Sequence, residues 1–483
     1  MSELKKRYGL VTAICMVAGI VIGSGIFFKA QTILQVTEGN VLYGVIAWII
    51  GGIIMLSCVL AFSVMAQKYE KVNGVVDYAE ATVGHRYAYY IGWFMSIIYY
   101  PTLVSVLAWL TARYALTFFV SVNPNFVLTI PAEEGGCIAG PEVFVLAMVF
   151  MVASYALNVL SPRLSGKFQV STTFIKLIPL ILMAVFGTIY GFTHDITNTA
   201  TPIIVSNFQS STGDLSVLFP AIVATAFAYE GWIVATSINS ELKNSKRNLP
   251  IALIVGGLII IAVYLFYFIG VTGGTSVDDL MENGATVAFT KVFGPVFGNI
   301  LNLFVAISCM GTLNGLMLGC SRGFYSIASR DAGPKPHVFK SVDKHTNMPS
   351  NAATISLLMC TLWFFFFYGG NLAPNGGWFG FFNFDSSELP ICTTYALYLP
   401  IFIIFMIKAK DVSPIKRFVL PTLAIIGSCF MIFAAFYAHG FAPFMAAKAE
   451  GKFACPIIAY LIVFAIIMII GKFLSNKNKI KEN

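Results

Sequence analysis

The chain has 483 residues, of which 58% are hydrophobic and only 11% charged, with a mean hydropathy of +0.81. Soluble domains carry roughly 25% charged residues, so this composition excludes a soluble enzyme and places the chain in a lipid bilayer. The formal charge of +8 then reports on orientation in the membrane, not on nucleic-acid binding.

An apolar span needs about 20 residues, and twelve stretches meet that length, near 10–35, 41–67, 87–120, 142–160, 168–191, 215–238, 250–273, 292–328, 351–369, 389–407, 418–439 and 453–474. The first follows MSELKKRYGL. A secretory signal is excluded because the apolar run is too long and its breaking residues lie mid-run, not at a cleavage site. Residues 19–28 read GIVIGSGIFF. Each glycine inside a helix costs roughly 1 kcal/mol relative to alanine, and any backbone group freed in hydrocarbon needs a partner. Gly23, Ser24 and Gly25 therefore mark a break that serves a purpose, whereas Gly19 reads as a helix-packing residue.

Span three carries Tyr99, Tyr100 and Pro101 at mid-depth. In span five, SGKFQVSTTFIKLIPL sets Lys176 nine residues beyond the loop residue Lys167, which is roughly 14 Å along a helix at about 1.5 Å per residue. A lysine near mid-membrane costs about 3 kcal/mol or more, and the distance is long for snorkelling. Span six contains FAYEGW, residues 227–232, a second break with an acid and a glycine at membrane depth. Spans one and six open two sets of five helices, and because five is odd the second set must run inverted.

Span eight holds GCSRG, residues 319–323. The match to a nucleophile elbow lacks the preceding strand and triad histidine that such an elbow needs. Its glycines instead continue a series, Gly311, Gly315, Gly319 and Gly323, whose spacing puts them on one helix face as a packing ridge for a neighbouring helix. All five histidines, His85, His194, His337, His345 and His439, fall in loops or at span ends, so no metal or acid–base site is expected at membrane depth. No catalytic residue and no cofactor is expected.

Basic residues alternate between loops: Lys5 to Arg7, Lys68 and Lys71, Arg163 and Lys167, Lys243 to Arg247, Lys335 to Lys344, Lys408 to Arg417 and Lys472 to Lys481 fall on one side. By the positive-inside rule both termini are cytoplasmic. The opposite loops carry Glu133, Glu134, Asp195, Asp278, Asp279, Glu282, Asp385 and Glu388. Cys137 and Cys455 share that outer side, and spacing alone leaves their pairing open.

Taken together, GSGIF in span one, FIKLIPL in span five, FAYEGW with ELKNSKRNLP at span six, and CMGTLNG with SRGFYSIASRDAGP in span eight resemble the amino acid–polyamine–organocation family, nearest its L-type amino acid transporter branch. The resemblance covers spans one to nine; spans ten to twelve match in hydropathy only. It implies an all-α membrane protein of 12 transmembrane helices, with two inverted five-helix repeats at 1–191 and 192–410 and two extra helices with a tail at 411–483. It also implies alternating access in the cell membrane, usually without sodium and often by exchange, with an amino acid and the lipid bilayer as partners, no nucleic acid, and no obligatory protein partner evident. In such a family the lysine at Lys176 occupies the place of a sodium ion in sodium-coupled relatives, tying span five to the first break.

The residues themselves agree with an amino acid as ligand. Backbone N–H groups at Ser24, Gly25 and Ile26, freed at the Gly23–Gly25 break, suit an α-carboxylate. Carbonyls near Ile20, Val21 and the Phe227, Ala228, Tyr229 break suit an α-ammonium. Phe227 and Trp232 flank the second break, Tyr99 faces it from span three, and Asn314 in span eight either binds substrate or bridges helices. Glu230 favours cationic substrates if it faces the cavity, and a conformational role if it does not. Neutral amino acids are the expected substrates, with a proton-coupled or cationic amino acid or polyamine carrier as the alternative and an amino acid sensor as the remaining one.

Overall fold

A computed structural model describes residues 6, 8–23, 25–123, 125–130, 137–195, 201–209, 214–373 and 377–475. The described residues are helical, with two isolated bridges and no strand. Among the described residues, twelve helical spans are long and apolar enough to cross a membrane: Leu10–Val36, Val41–Ala66, His85–Val122, Pro141–Leu160, Pro162–Thr193, Leu215–Glu241, Ser245–Gly274, Pro295–Ala328, Ser350–Leu372, Leu389–Lys408, Ile415–Ala449 and Pro456–Leu474. They are numbered spans 1 to 12. An even number of crossings puts Lys6 and Ser475 on one side, called here the amino-terminal face.

Sequence and structure differ most at span 11, which runs to Ala449 and not to 439. A π turn over Tyr437–Phe441 accommodates His439 and Gly440 without ending the helix. Span 5 starts at Pro162 because proline suits the first turn, where its missing N–H is not needed. The acidic loop residues Glu133 and Glu134 and the basic residues Lys5, Arg7, Lys477, Lys479 and Lys481 lie outside the described residues. Cys137 and Cys455 are both free thiols.

Burial separates the centre from the lipid boundary. In its most apolar window span 1 is 76% buried within the protein, whereas span 12 is only 22% buried and presents its apolar side chains outward. Span 1 packs on spans 5, 7 and 8, span 3 lies along span 8, and span 2 along span 7. This is the arrangement of two inverted five-helix repeats, with span 1 and its counterpart span 6 at the middle.

Both of these central spans are interrupted. Span 1 is helical over Leu10–Val21 (half-span 1a) and again over Gly25–Val36 (half-span 1b). Span 6 is α-helical to Tyr229, is extended at Glu230, and turns at Gly231, whose φ of +109° favours glycine over any L side chain. It continues as a 3₁₀ helix over Trp232–Glu241, far longer than the usual 3–4 residues. The glycines of the first break have a different reason, close packing. A Cβ on Gly25 would come 2.6 Å from the Ala228 Cα, and one on Gly23 would come 2.7 Å from Thr312 Oγ1. Gly25 admits the Ala228 backbone and Gly23 the Thr312 side chain.

The glycine series of span 8 also departs from a single packing ridge. A residue every fourth position drifts about 40° around the helix per step. Gly311 accordingly meets Thr172 of span 5, Gly315 meets Ile20, Gly319 meets Val234 and Tyr100, and Gly323 meets Ser96. The row winds across four neighbours and lets span 8 sit close to each.

Candidate functional site

The two breaks meet around a small cavity of about 20 Å³, room for about one water molecule. Ile20, Val21, Gly23 and Gly25 line it from span 1, Phe227, Glu230 and Gly231 from span 6, Leu103 and Leu107 from span 3, and Thr312 and Leu316 from span 8. Half-span 1b begins at Gly25, so the N–H groups of its first turn, including those of Gly25 and Ile26, have no acceptor within the helix. They carry the positive end of the helix dipole at the cavity wall. Ser24 lies outside the described residues.

On the other side of the break, carbonyls of 1a are already engaged. The Lys176 ammonium, fully buried, donates to Gly19 O at 2.7 Å and Ile22 O at 2.5 Å, with Ser308 O at 3.2 Å and Thr312 Oγ1 at 3.3 Å. Three carbonyls and a hydroxyl around one positive charge form an oxygen cage of the kind a hard cation would use. The Tyr264 hydroxyl, from span 7, lies 2.9 Å from both Val21 O and Ala228 O. Its single proton serves one of them at a time, so these two predicted ammonium acceptors are shared with the protein. Span 7 thereby clamps the two breaks together.

Glu230 is buried and accepts a hydrogen bond from the Tyr99 hydroxyl. Tyr99, Leu103 and Leu107 recur every fourth residue, so one face of span 3 supplies both the phenol and the apolar wall.

Three of the residues singled out in the sequence are engaged elsewhere. Asn314 sits in a knot with Asn158, Ser165 and Gln169 that joins spans 4, 5 and 8. Trp232 is buried beside Phe62 and Tyr398, and the Tyr229 hydroxyl donates to Trp48 O at 2.9 Å. Asn314 and Tyr229 are turned away from the cavity because a polar atom at membrane depth takes a protein partner where it can, and Trp232 is drawn off by ring packing. Ile26 is fully buried and does not line the cavity.

Two charged clusters were not foreseen. On the amino-terminal face, Arg322 Nε lies 2.6 Å from Glu241 Oε1 with both side chains fully buried. Tyr8 N donates to Glu241 O at 3.2 Å, and Lys243 N to Tyr8 O at 2.9 Å. The chain entering span 1 is thus stitched to the end of span 6 and, through Arg322, to span 8. An arginine and a glutamate at matching depths at the ends of spans 8 and 6 were the available signal. On the opposite face, Lys29 of 1b pairs with Glu388, and Glu388 with His439 at 3.0 Å. The sequence had set Glu388 on a loop and His439 at a span end, but Glu388 is buried and His439 half-buried.

Comparison with known proteins agrees with this architecture. A family model described as amino acid permease matches residues 8–471. The serine/threonine exchanger SteT of Bacillus subtilis is 27% identical over 439 residues, covering 89% of this chain and 91% of that protein. The large neutral amino acids transporter small subunit 2 of Mus musculus is 27% identical over 72% of this chain, a match that spans 62% of the mouse protein's length. Among solved structures, that of MhsT in complex with L-phenylalanine superposes with a TM-score of 0.61 at 14% identity, covering 91% of this chain and all of the other. That likeness is one of fold.

Proposed function

The chain belongs to the amino acid permease family, and we propose that it exchanges neutral amino acids across the cell membrane without sodium, by alternating access to the cavity between the two breaks. It is a transporter and not an enzyme. The α-carboxylate binds at the first turn of 1b, to the N–H groups of Gly25 and Ile26 and of Ser24 before them. The α-ammonium takes carbonyls of 1a and of the span 6 break, with Ile20 O favoured because Val21 O and Ala228 O share the Tyr264 hydroxyl. Phe227 covers the bound molecule, and Leu103, Leu107 and Leu316 receive its side chain.

The observation that carries the neutral assignment is the Tyr99–Glu230 hydrogen bond. The one carboxylate lining the cavity is held by a phenol of span 3, which favours a part in positioning span 6 over one in recruiting a cation. Exchange is favoured by the named activity of SteT. By the positive-inside rule the amino-terminal face is cytoplasmic. The Lys176 cage provides the fixed charge for which sodium would otherwise be needed.

The test is purified protein alone in liposomes preloaded with an amino acid mixture, followed by uptake of a labelled panel. Uptake is expected to require internal amino acid and to be blocked by serine, threonine, alanine or leucine better than by lysine, arginine or ornithine. The reverse order would overturn the neutral assignment, uptake into empty liposomes would overturn exchange, and binding without uptake would make the chain a sensor.

A further inference from the structure

Half-span 1b leaves the cavity toward the face opposite the amino terminus, and its first charged residue is Lys29. The Lys29 side chain is only 7% exposed and forms an ion pair with Glu388, which directly precedes span 10. The second oxygen of Glu388 lies 3.0 Å from His439 Nε2, in the π turn of span 11. Three elements are therefore joined by a row of side chains that exclude water almost completely: Lys29 at 7%, Glu388 at 10% and His439 at 14% exposure. Removing a buried ion pair's partner strands a charge, so this row fixes where 1b lies. It also touches the cavity lid, because the Lys29 ammonium lies 5.4 Å from the centre of the Phe227 ring, a cation–π distance.

We propose that Glu388 and His439 are positioning residues of the transport cycle, forming with Lys29 a latch that holds 1b and Phe227 closed while His439 is protonated and releases them when it is not. The sign follows from counting charges. Asp385 is the remaining charged neighbour; it is half-buried and accepts from the N–H groups of Ser387 and Glu388. With a neutral His439, one lysine faces two carboxylates and the cluster carries a net negative charge. With a protonated His439 the four groups balance. A buried cluster is most stable when its charges cancel, so acid conditions hold the latch and alkaline conditions loosen it. The charges that act on His439 are those of Glu388, Asp385 and Lys29. The packed elements also carry Tyr229 and Glu230 on span 6, Cys392, Tyr395 and Tyr398 on span 10, Tyr437 and Lys448 on span 11, and Cys455 and Tyr460 at span 12.

A proton bound here need not travel with the substrate. It sets how readily 1b swings away from spans 10 and 11, and so how fast the cavity opens to that face. The inference goes beyond the substrate assignment and does not depend on which amino acid is carried.

The experiment measures exchange in proteoliposomes with equal pH inside and outside, so that no proton gradient drives flux and the orientation of the protein does not matter. Wild-type exchange is expected to rise about fivefold or more from pH 5 to pH 8, the range in which histidine changes charge. His439→Gln keeps an N–H donor for Glu388 but cannot titrate, and should flatten the profile. The double variant Lys29→Met with Glu388→Gln removes both charges together, which avoids stranding either, and should also be pH-independent. Hydrogen exchange of the peptide covering residues 25–36, compared between wild type and His439→Gln at each pH, reads the latch even if every labelled amino acid proves to be the wrong substrate. There the two proteins should be equally protected at pH 8, and the wild type should be better protected than the variant at pH 5. A flat wild-type profile, a His439→Gln profile that follows the wild type, or equal protection of 25–36 in both proteins at pH 5 would overturn the proposal.

Discussion

The Lys176 ammonium lies 2.5 Å from the Ile22 carbonyl oxygen, at the point where span 1 stops being helical. A backbone carbonyl freed inside a membrane must find a donor, and here one side chain serves Gly19 and Ile22 while also reaching Ser308 and Thr312. The end of 1a and span 8 are therefore organised around a covalently attached positive charge.

From this arrangement transport is expected to be unchanged when sodium is replaced by choline. Lys176→Ala should lose about 10- to 100-fold of uptake, the loss of one charge-assisted hydrogen bond at roughly 1.5–3 kcal/mol. Labelled uptake into liposomes checks both. A sodium requirement in the wild type, or full activity of Lys176→Ala, would remove this residue from the mechanism.

Gly25 gives a sharper steric expectation. Its missing Cβ leaves room for the Ala228 backbone, 2.6 Å from where that atom would stand. Backbone of two packed spans cannot yield as a flexible side chain can, and overpacking of this kind costs roughly 1–3 kcal/mol. Gly25→Ala should already reduce uptake about tenfold, and Gly25→Val should abolish it while the protein still reaches the membrane. Gly9, where a Cβ would meet no atom within 4 Å, is the control: Gly9→Ala should transport as the wild type does. Equal uptake by Gly25→Val and wild type would show that the two breaks need not touch.

What the sequence revealed and what it hid follow from the same physics. Hydropathy reports whether a stretch prefers lipid to water, and that was enough for twelve spans, because each apolar run must be about a bilayer long. Breaks were legible because glycine clusters and an acid within an apolar run are costly, and Lys176 because it stands nine residues deeper along span 5 than Lys167, which itself lies in the first turns of that span. Partner choice was not legible. Lys29, Glu388 and His439 are 359 and 51 residues apart along the chain, and each taken singly looks like an ordinary span-end or loop residue. Tyr264 was passed over for a related reason: an aromatic in an apolar helix gives no sign that its hydroxyl will meet two broken backbones. Asn314 was noticed, but whether an asparagine faces a cavity or three neighbouring helices is decided by rotation of span 8, which the winding glycine row sets.

Glu80 provides a prediction on the amino-terminal face, outside the spans. It lies in the short helix Gly74–Thr82 and accepts from Arg330 Nε at 2.9 Å and Lys71 Nζ at 3.1 Å. Arg330 also donates to Val72 O at 3.2 Å and Ser326 O at 2.8 Å, so the carboxylate ties the loop after span 2 to the end of span 8. Partial burial pushes the Glu80 carboxyl up, but Arg330 and Lys71 outweigh it and leave the group below the usual carboxylate range. A depressed value in the folded state means that the stabilisation is present above the unfolded-state value of about 4.3 and is lost as pH falls through the folded-state value. Because the cluster borders water, its contribution near neutral pH should be only about 0.5–1 kcal/mol. Glu80→Gln should therefore melt slightly lower than wild type at pH 7, and the gap should close as both are taken below pH 4. A thermal-unfolding series in detergent across that range measures the gap, and a difference that persists undiminished at acid pH would mean that the glutamine disturbs packing and that the charge contributes nothing.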